Sequence, residues 1–156
     1  MAGVTDARPR DTPSPDRLFA YGTMMTGYSR RPLLDPAVLE GRAEVRGSLY
    51  DFGEYPGIIL DDGGWVVGEL YRMSDLDARL PRFDAEEWYD PAAPTRSLYV
   101  RRRVTVQVAP GTTREAWIYT YNPAVGGPPD RGARIDGGDW RAHLAARGVP
   151  PPRVPR

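Results

Sequence analysis

Residues 18–24 read Leu-Phe-Ala-Tyr-Gly-Thr-Met, four apolar or aromatic positions followed at once by a glycine. A run this short and this apolar predicts a buried strand, with Gly22 opening the turn behind it. Working outward, Trp65–Tyr71 (WVVGELY), Leu98–Val108 and Ala116–Tyr121 are rich in β-branched and aromatic residues and predict further strands. Ala43–Phe52 and Gly57–Leu60 also read as extended, with Tyr55-Pro56-Gly57 as punctuation between them. Helical signals are fewer. Ser74 is placed to cap a segment in which Leu76, Leu80 and Phe83 recur at helical spacing, and Pro81 is expected to kink it or end its first part. A second short helix is expected from Asp139, carrying Trp140, His143 and Leu144. Many strands, few helices and abundant glycine predict a small β-barrel or α+β fold.

The chain has 156 residues, 40% hydrophobic and 27% charged, which suits one folded domain with a real core. Residues 1–16 carry several prolines and few large apolar side chains, so a disordered tail is expected there. A folded unit is expected over 17–147, and a proline-rich tail over 148–156. The 21 basic and 21 acidic residues balance, which argues against a nucleic-acid or anionic-membrane binder. No apolar run approaches the roughly 18 residues of a membrane span and no signal peptide opens the chain, so a cytoplasmic location is expected.

Absent residue types narrow the chemistry. The sequence has no Cys, a single His at position 143, and no Lys, every basic residue being Arg. Thiolate nucleophiles, Cys-ligated metals, multi-His metal sites, Schiff bases and the P-loop lysine are thereby excluded. Any enzyme here works with carboxylates, Tyr, Ser, Thr, Arg and backbone amides.

Three constellations could carry chemistry. The turn Tyr21-Gly22-Thr23-Met24 can aim consecutive backbone N–H groups into one cavity as an oxyanion site, or be a plain turn. In Phe83-Asp84-Ala85-Glu86-Glu87-Trp88-Tyr89-Asp90-Pro91, a carboxylate among aromatics at a helix end can be desolvated and serve as a general acid/base, or be solvated. Along a strand Trp117, Tyr119 and Tyr121 share one face, as a core layer or as a hydroxyl-bearing cavity wall. His143 reads as a surface or capping residue.

Taken in order with Leu49-Tyr50-Asp51, Tyr55-Pro56-Gly57, Val67-Gly68-Glu69-Leu70-Tyr71, Leu98-Tyr99-Val100-Arg101-Arg102 and Ile135-Asp136-Gly137-Gly138-Asp139-Trp140, these stretches resemble the γ-glutamylcyclotransferase-like superfamily. The likeness is to its γ-glutamylamine cyclotransferase and bacterial branches in particular, and covers about residues 18–144. It implies an α+β fold, a small mixed β-barrel with a few short helices at its mouth. It also implies an enzyme that releases 5-oxoproline and a free amine from a γ-glutamyl amide, by attack of the substrate's own α-amine. No cofactor and no metal would be needed, and the partner would be a small-molecule γ-glutamyl substrate.

By the same resemblance Glu87 is the general acid/base, with Glu86 competing for the role if the register slips by one. Tyr21, Gly22, Thr23 and Met24 form the substrate-binding loop, Tyr119 is a cavity tyrosine with Tyr121 as alternate, and Tyr99 is the tyrosine downstream of the acid. Trp88 replaces a common Gly. The stretch Met25-Thr26-Gly27-Tyr28-Ser29 departs from the family and is expected to bear on substrate choice by facing the leaving group. A narrower version of the function is removal of a γ-glutamyl protecting group from a natural-product intermediate. The alternatives are a non-catalytic module binding a small carboxylate and an interaction scaffold of the same fold.

Overall fold

The computed structural model describes residues 13–148. Its centre is a closed five-stranded barrel in the order β1 (Arg17–Ala20), β5 (Trp65–Arg72), β2 (Val38–Arg46), β6 (Tyr99–Ala109) and β7 (Thr112–Tyr121). Neighbours are antiparallel except at the closure, where Leu18 of β1 pairs with Trp117 of β7 in parallel. A second sheet orders β4 (Pro56–Ile59), β3 (Ser48–Asp51) and β8 (Arg134–Ile135). Three short helices accompany the strands: α1 (Leu76–Glu86), α2 (Pro123–Gly126) and α3 (Trp140–Ala146). This is the mixed barrel with few short helices that the family resemblance implies.

Alternation along the strands fills the barrel. Val45, Val66, Leu70, Val106, Ala116 and Ile118 are all buried, and Phe19 lies among them. Gly68 makes room for that ring, since a Cβ on it would stand 2.6 Å from Phe19 Cζ.

Several expectations are corrected. Ala43–Phe52 is not one strand: the chain leaves the barrel at Gly47, whose N–H donates to the Gly64 carbonyl at 3.0 Å, and enters the second sheet as β3. Pro81 neither ends nor divides α1. It has no N–H to offer the Asp77 carbonyl, yet the helix continues to Glu86 because Leu80 and Phe83 are buried on either side of the proline. Ser74 is not the cap; Asp75 takes that place, without a side-chain capping bond. The helix at Asp139 forms as expected, the Asp139 carboxylate accepting from the Ala142 N–H at 3.0 Å.

Of the two expected tails, residues 1–12 and 149–156 lie outside the described residues. Residues 13–16 run along the barrel. There the Pro13 carbonyl accepts from Arg103, Ser14 Oγ accepts from Trp117 Nε1 at 3.2 Å, and the Asp16 carbonyl accepts from the Met73 N–H at 2.8 Å. Among the described residues no helix is long and apolar enough to cross a membrane.

Candidate active site

Where β1 ends, the chain turns back on itself, with the Met25 N–H bonded to the Gly22 carbonyl at 3.1 Å and the Arg30 N–H to the Thr23 carbonyl at 3.0 Å. Met24, Met25 and Tyr28 are buried and anchor this turn. Glu69 fastens it further by accepting from the Thr26 N–H at 2.7 Å and from Thr26 Oγ1 at 2.8 Å. The N–H groups of Gly22, Thr23 and Met24 meet no acceptor among the described residues. Gly22 is required by close approach: a Cβ there would lie 2.9 Å from Pro56 Cγ.

Beside the turn is a cavity of about 150 Å³. Tyr21, Gly22, Thr23 and Met24 form one side of its lining, Tyr99 and Tyr119 another, and the end of α1 brings Glu86, Glu87 and Trp88. Arg30, Tyr55, Pro56 and Leu98 also line it. The structure thus gathers Tyr21, Gly22, Thr23, Met24, Tyr99, Tyr119 and Glu87 around one space, although 98 positions separate Tyr21 from Tyr119 along the chain.

The three tyrosine hydroxyls are engaged in building this wall. Tyr21 Oη donates to the Tyr119 carbonyl at 2.6 Å and accepts from the Ile58 N–H at 3.3 Å. Tyr99 Oη donates to the Pro56 carbonyl at 2.9 Å, and Tyr119 Oη to Asp84 Oδ1 at 2.7 Å. Asp84 is itself buried and also pairs with Arg101 Nε at 2.8 Å. Burial is the main cause that pushes all three phenols up from their ordinary range; nearby Glu87 adds to it in each, and the Asp84 bond adds to it for Tyr119. They are therefore protonated anchors at neutral pH.

Glu87 is the carboxylate that stands apart. Its side chain is only 16% exposed, and burial raises its pKa from the ordinary glutamate value. Arg30, 3.3 Å away through Nη2, pulls it down; neighbouring Glu86 pushes it up. Arg30 also donates to the Glu86 carbonyl at 2.8 Å, which ties the loop after β1 to the end of α1. A carboxyl held partly desolvated beside a fixed guanidinium and a set of free amide donors is suited to accept and return a proton next to a polarised carbonyl.

Three sequence expectations require correction here, and the open alternative for Trp117 is resolved toward packing. Tyr121 does not line the cavity. It lies behind Tyr99, ring centroids 6.3 Å apart, packs on Phe52 at 4.5 Å, and donates to the Gly127 carbonyl at 2.7 Å. Trp117 shares its strand face but sits outside the cavity under Arg101, 4.4 Å from the guanidinium. The Met25–Ser29 stretch does not face the cavity either, because burial of Met25 and Tyr28 and the Thr26–Glu69 bonds turn it into the fold. His143 is neither a free surface residue nor a cap. Its Nε2 lies 2.8 Å from Asp51 Oδ2, which also accepts from Arg147, and its ring stacks on buried Trp140.

Arg30, Tyr55, Pro56 and Leu98 were not singled out for this cavity by sequence reasoning. Tyr55, Pro56 and Leu98 stand in the sequence as turn punctuation and as parts of the motifs that carry the resemblance, with no role at the cavity attached to them. Nothing in its local pattern distinguishes Arg30 from Arg31 beside it.

Comparison with known proteins places this architecture. Residues 18–142 match the family model described as gamma-glutamyl cyclotransferase, AIG2-like, and the chain belongs to that family. A relative from Niallia circulans, named gamma-L-glutamyl-butirosin B gamma-glutamyl cyclotransferase, is 37% identical over 107 residues. That match spans 67% of this chain and 66% of the relative, so the chain spans somewhat less than two thirds of the relative's length. Among solved structures, YkqA from Bacillus subtilis superposes with a TM-score of 0.64 at 23% identity, over 86% of this chain and 42% of that one. An AIG2-like protein from Mus musculus gives a TM-score of 0.55 at 22% identity, over 92% and 98% of the two chains. At those identities the structures speak for the fold alone.

Proposed function

We propose that the protein is a γ-glutamyl cyclotransferase that converts a γ-glutamyl amide into 5-oxoproline and a free amine, with Glu87 as the acid/base. The observation that carries this reading is the partly buried, pKa-raised Glu87 carboxyl on the same cavity wall as the unpaired amides of Gly22, Thr23 and Met24. The family membership and the Niallia relative support it.

In the reaction, Glu87 takes a proton from the substrate's α-ammonium, and the freed nitrogen attacks the γ-carbonyl carbon. The loop amides hold the oxyanion of the tetrahedral intermediate. Glu87 then returns its proton to the departing nitrogen as the C–N bond to the amine breaks, takes the surplus proton from the ring nitrogen to leave the neutral lactam, and passes it to the released amine, which departs as an ammonium. The ring-closing C–N bond replaces the one lost, no water is consumed, and no electrons are exchanged. Nucleophile and electrophile reside in one molecule, so the protein's main task is to hold the glutamyl chain curled. Such an arrangement reaches effective molarities of about 10⁵–10⁸ M.

A cavity of about 150 Å³ suits a compact glutamyl group, with the amine portion left at the mouth. Removal of a γ-glutamyl cap from a biosynthetic intermediate is the narrower form of the same proposal.

The test is 5-oxoproline release, followed by mass spectrometry, from γ-glutamyl amino acids, glutathione, γ-glutamyl-ε-lysine and γ-glutamyl-capped amines, with Glu87→Gln beside the wild type. Release by the wild type and loss with Glu87→Gln is the expected result. Release by both would move the base to another group, Glu86 being next to it. Binding without release of 5-oxoproline from any of them would identify a carboxylate-binding module instead.

A further inference from the structure

Helix α1 ends in a Schellman motif. With Glu87 as the C-cap, the Tyr89 N–H donates to the Asp84 carbonyl at 2.8 Å and the Trp88 N–H to the Ala85 carbonyl at 3.2 Å. The residue following the cap in this motif takes left-handed backbone, and Trp88 does so at φ 56°, the single non-glycine at positive φ among the described residues. Glycine is favoured at such a position because any Cβ crowds the neighbouring carbonyl, and a bulky side chain is a genuine outlier there. Packing inside the fold does not offset that strain. The Trp88 side chain is 84% exposed, more than any other large hydrophobic residue described, and makes no hydrogen bond or ring contact there.

Its position is specific all the same. Trp88 lines the rim of the cavity and directly follows Glu87. Tyr55, 42% exposed, lines the same cavity and holds its ring edge-on to Tyr99 at 6.1 Å. In the cyclotransferase reading the glutamyl group occupies the inner cavity of about 150 Å³. The scissile nitrogen must then lie next to Glu87, so whatever that nitrogen carries emerges at residue 88.

We propose that Trp88, aided by Tyr55, is an aromatic seat for the leaving-amine half of the substrate, selecting γ-glutamyl amides whose amine bears a ring over those with a short alkyl amine. This rests on the cyclotransferase reading and specifies its substrate class. An indole face offers a flat apolar surface on which an aromatic or a saturated ring stacks, and a short alkyl amine leaves it bare.

The experiment measures kcat and KM for γ-glutamyl-benzylamide, γ-glutamyl-cyclohexylamide and γ-glutamyl-methylamide with the wild type, Trp88→Gly and Trp88→Ala. Trp88→Gly suits the left-handed position and folds, as a thermal melt will check; Trp88→Ala removes the ring while keeping a Cβ. The wild type is expected to favour the two ring amides in kcat/KM by about tenfold, the size of one stacking contact. Both variants should lose that preference through KM, with kcat/KM for the two ring amides falling by about tenfold relative to that for the methylamide. A preference that is absent from the wild type or intact in both variants overturns the seat while leaving the cyclotransferase reading in place. Equal slowing on all three amides also overturns it, by showing that Trp88 acts only on Glu87. No 5-oxoproline from any of the three with the wild type overturns the reading on which the seat depends.

Discussion

Replacing Arg30 with Met takes away the positive charge beside Glu87 and keeps an unbranched stem. Arg30 Nη2 is 3.3 Å from Glu87 Oε1. At that distance a unit pair is worth about 1.3 kcal/mol in bulk water and about 5 kcal/mol at an effective dielectric constant of about 20. The two side chains are 28% and 16% exposed, so solvent screens the pair in part. A value of about 1.5–3 kcal/mol follows, or about 1–2 pH units on the carboxyl. The sign is fixed by the charge: Arg30 favours the carboxylate, so its removal raises a pKa that burial has already raised. A general base works only when deprotonated. The acid limb of kcat/KM for 5-oxoproline release should therefore move to higher pH by about 1–2 units in Arg30→Met. Arg30→Lys, which restores the charge, should bring it most of the way back. The assay is the pH–rate profile of the three proteins on one γ-glutamyl amide. An unmoved limb in Arg30→Met, or one moved to lower pH, would refute the coupling of Arg30 to the base.

Three further outcomes follow from the geometry. Asp84→Asn strips the charge that Arg101 and Tyr119 share in a buried setting, which should cost about 3–5 kcal/mol and lower the melting temperature by at least about 6 °C. Trp88→Gly relieves a left-handed backbone, and by about 1 kcal/mol it should raise the melting temperature by about 2–4 °C. The Asp51 carboxyl, which burial alone would raise, is held below its ordinary value by the bond to His143, the Gly53 N–H and Arg147. Its stabilising share is thus complete above the unfolded value of about 3.9 and is lost as pH falls below it. Denaturant titrations between pH 5 and 2.5 should show the wild type losing stability more steeply than Asp51→Asn.

What the sequence made legible was what local pattern encodes. The strands came from alternation and β-branched content, and the apolar run into Gly22 located the first of them. The cavity wall made of Tyr21–Met24, Glu87, Tyr99 and Tyr119 was legible through the order of short motifs, each of which alone also fits a bland reading. What was hidden depends on tertiary placement. Tyr119 and Tyr121 share a strand face, yet one lines the cavity while the other packs on Phe52 and bonds to Gly127. Arg30 reaches Glu87 because the loop after β1 folds back across the barrel mouth, a path that no period in the sequence records. Pro81 was misleading because burial of Leu80 and Phe83 outweighs the hydrogen bond that a proline cannot make. His143 finds Asp51 across 92 positions.

The claim at the centre of this account is that the substrate's own amine, and not water, attacks the γ-carbonyl with Glu87 moving the proton. The most direct measurement is turnover of a γ-glutamyl amide in ¹⁸O-water, with products weighed by mass spectrometry for the wild type and Glu87→Gln. The account predicts unlabelled 5-oxoproline and free amine from the wild type, with a rate lower by about 10²–10⁴ in Glu87→Gln. Glutamate carrying ¹⁸O, or 5-oxoproline formed equally fast by both proteins, would contradict it.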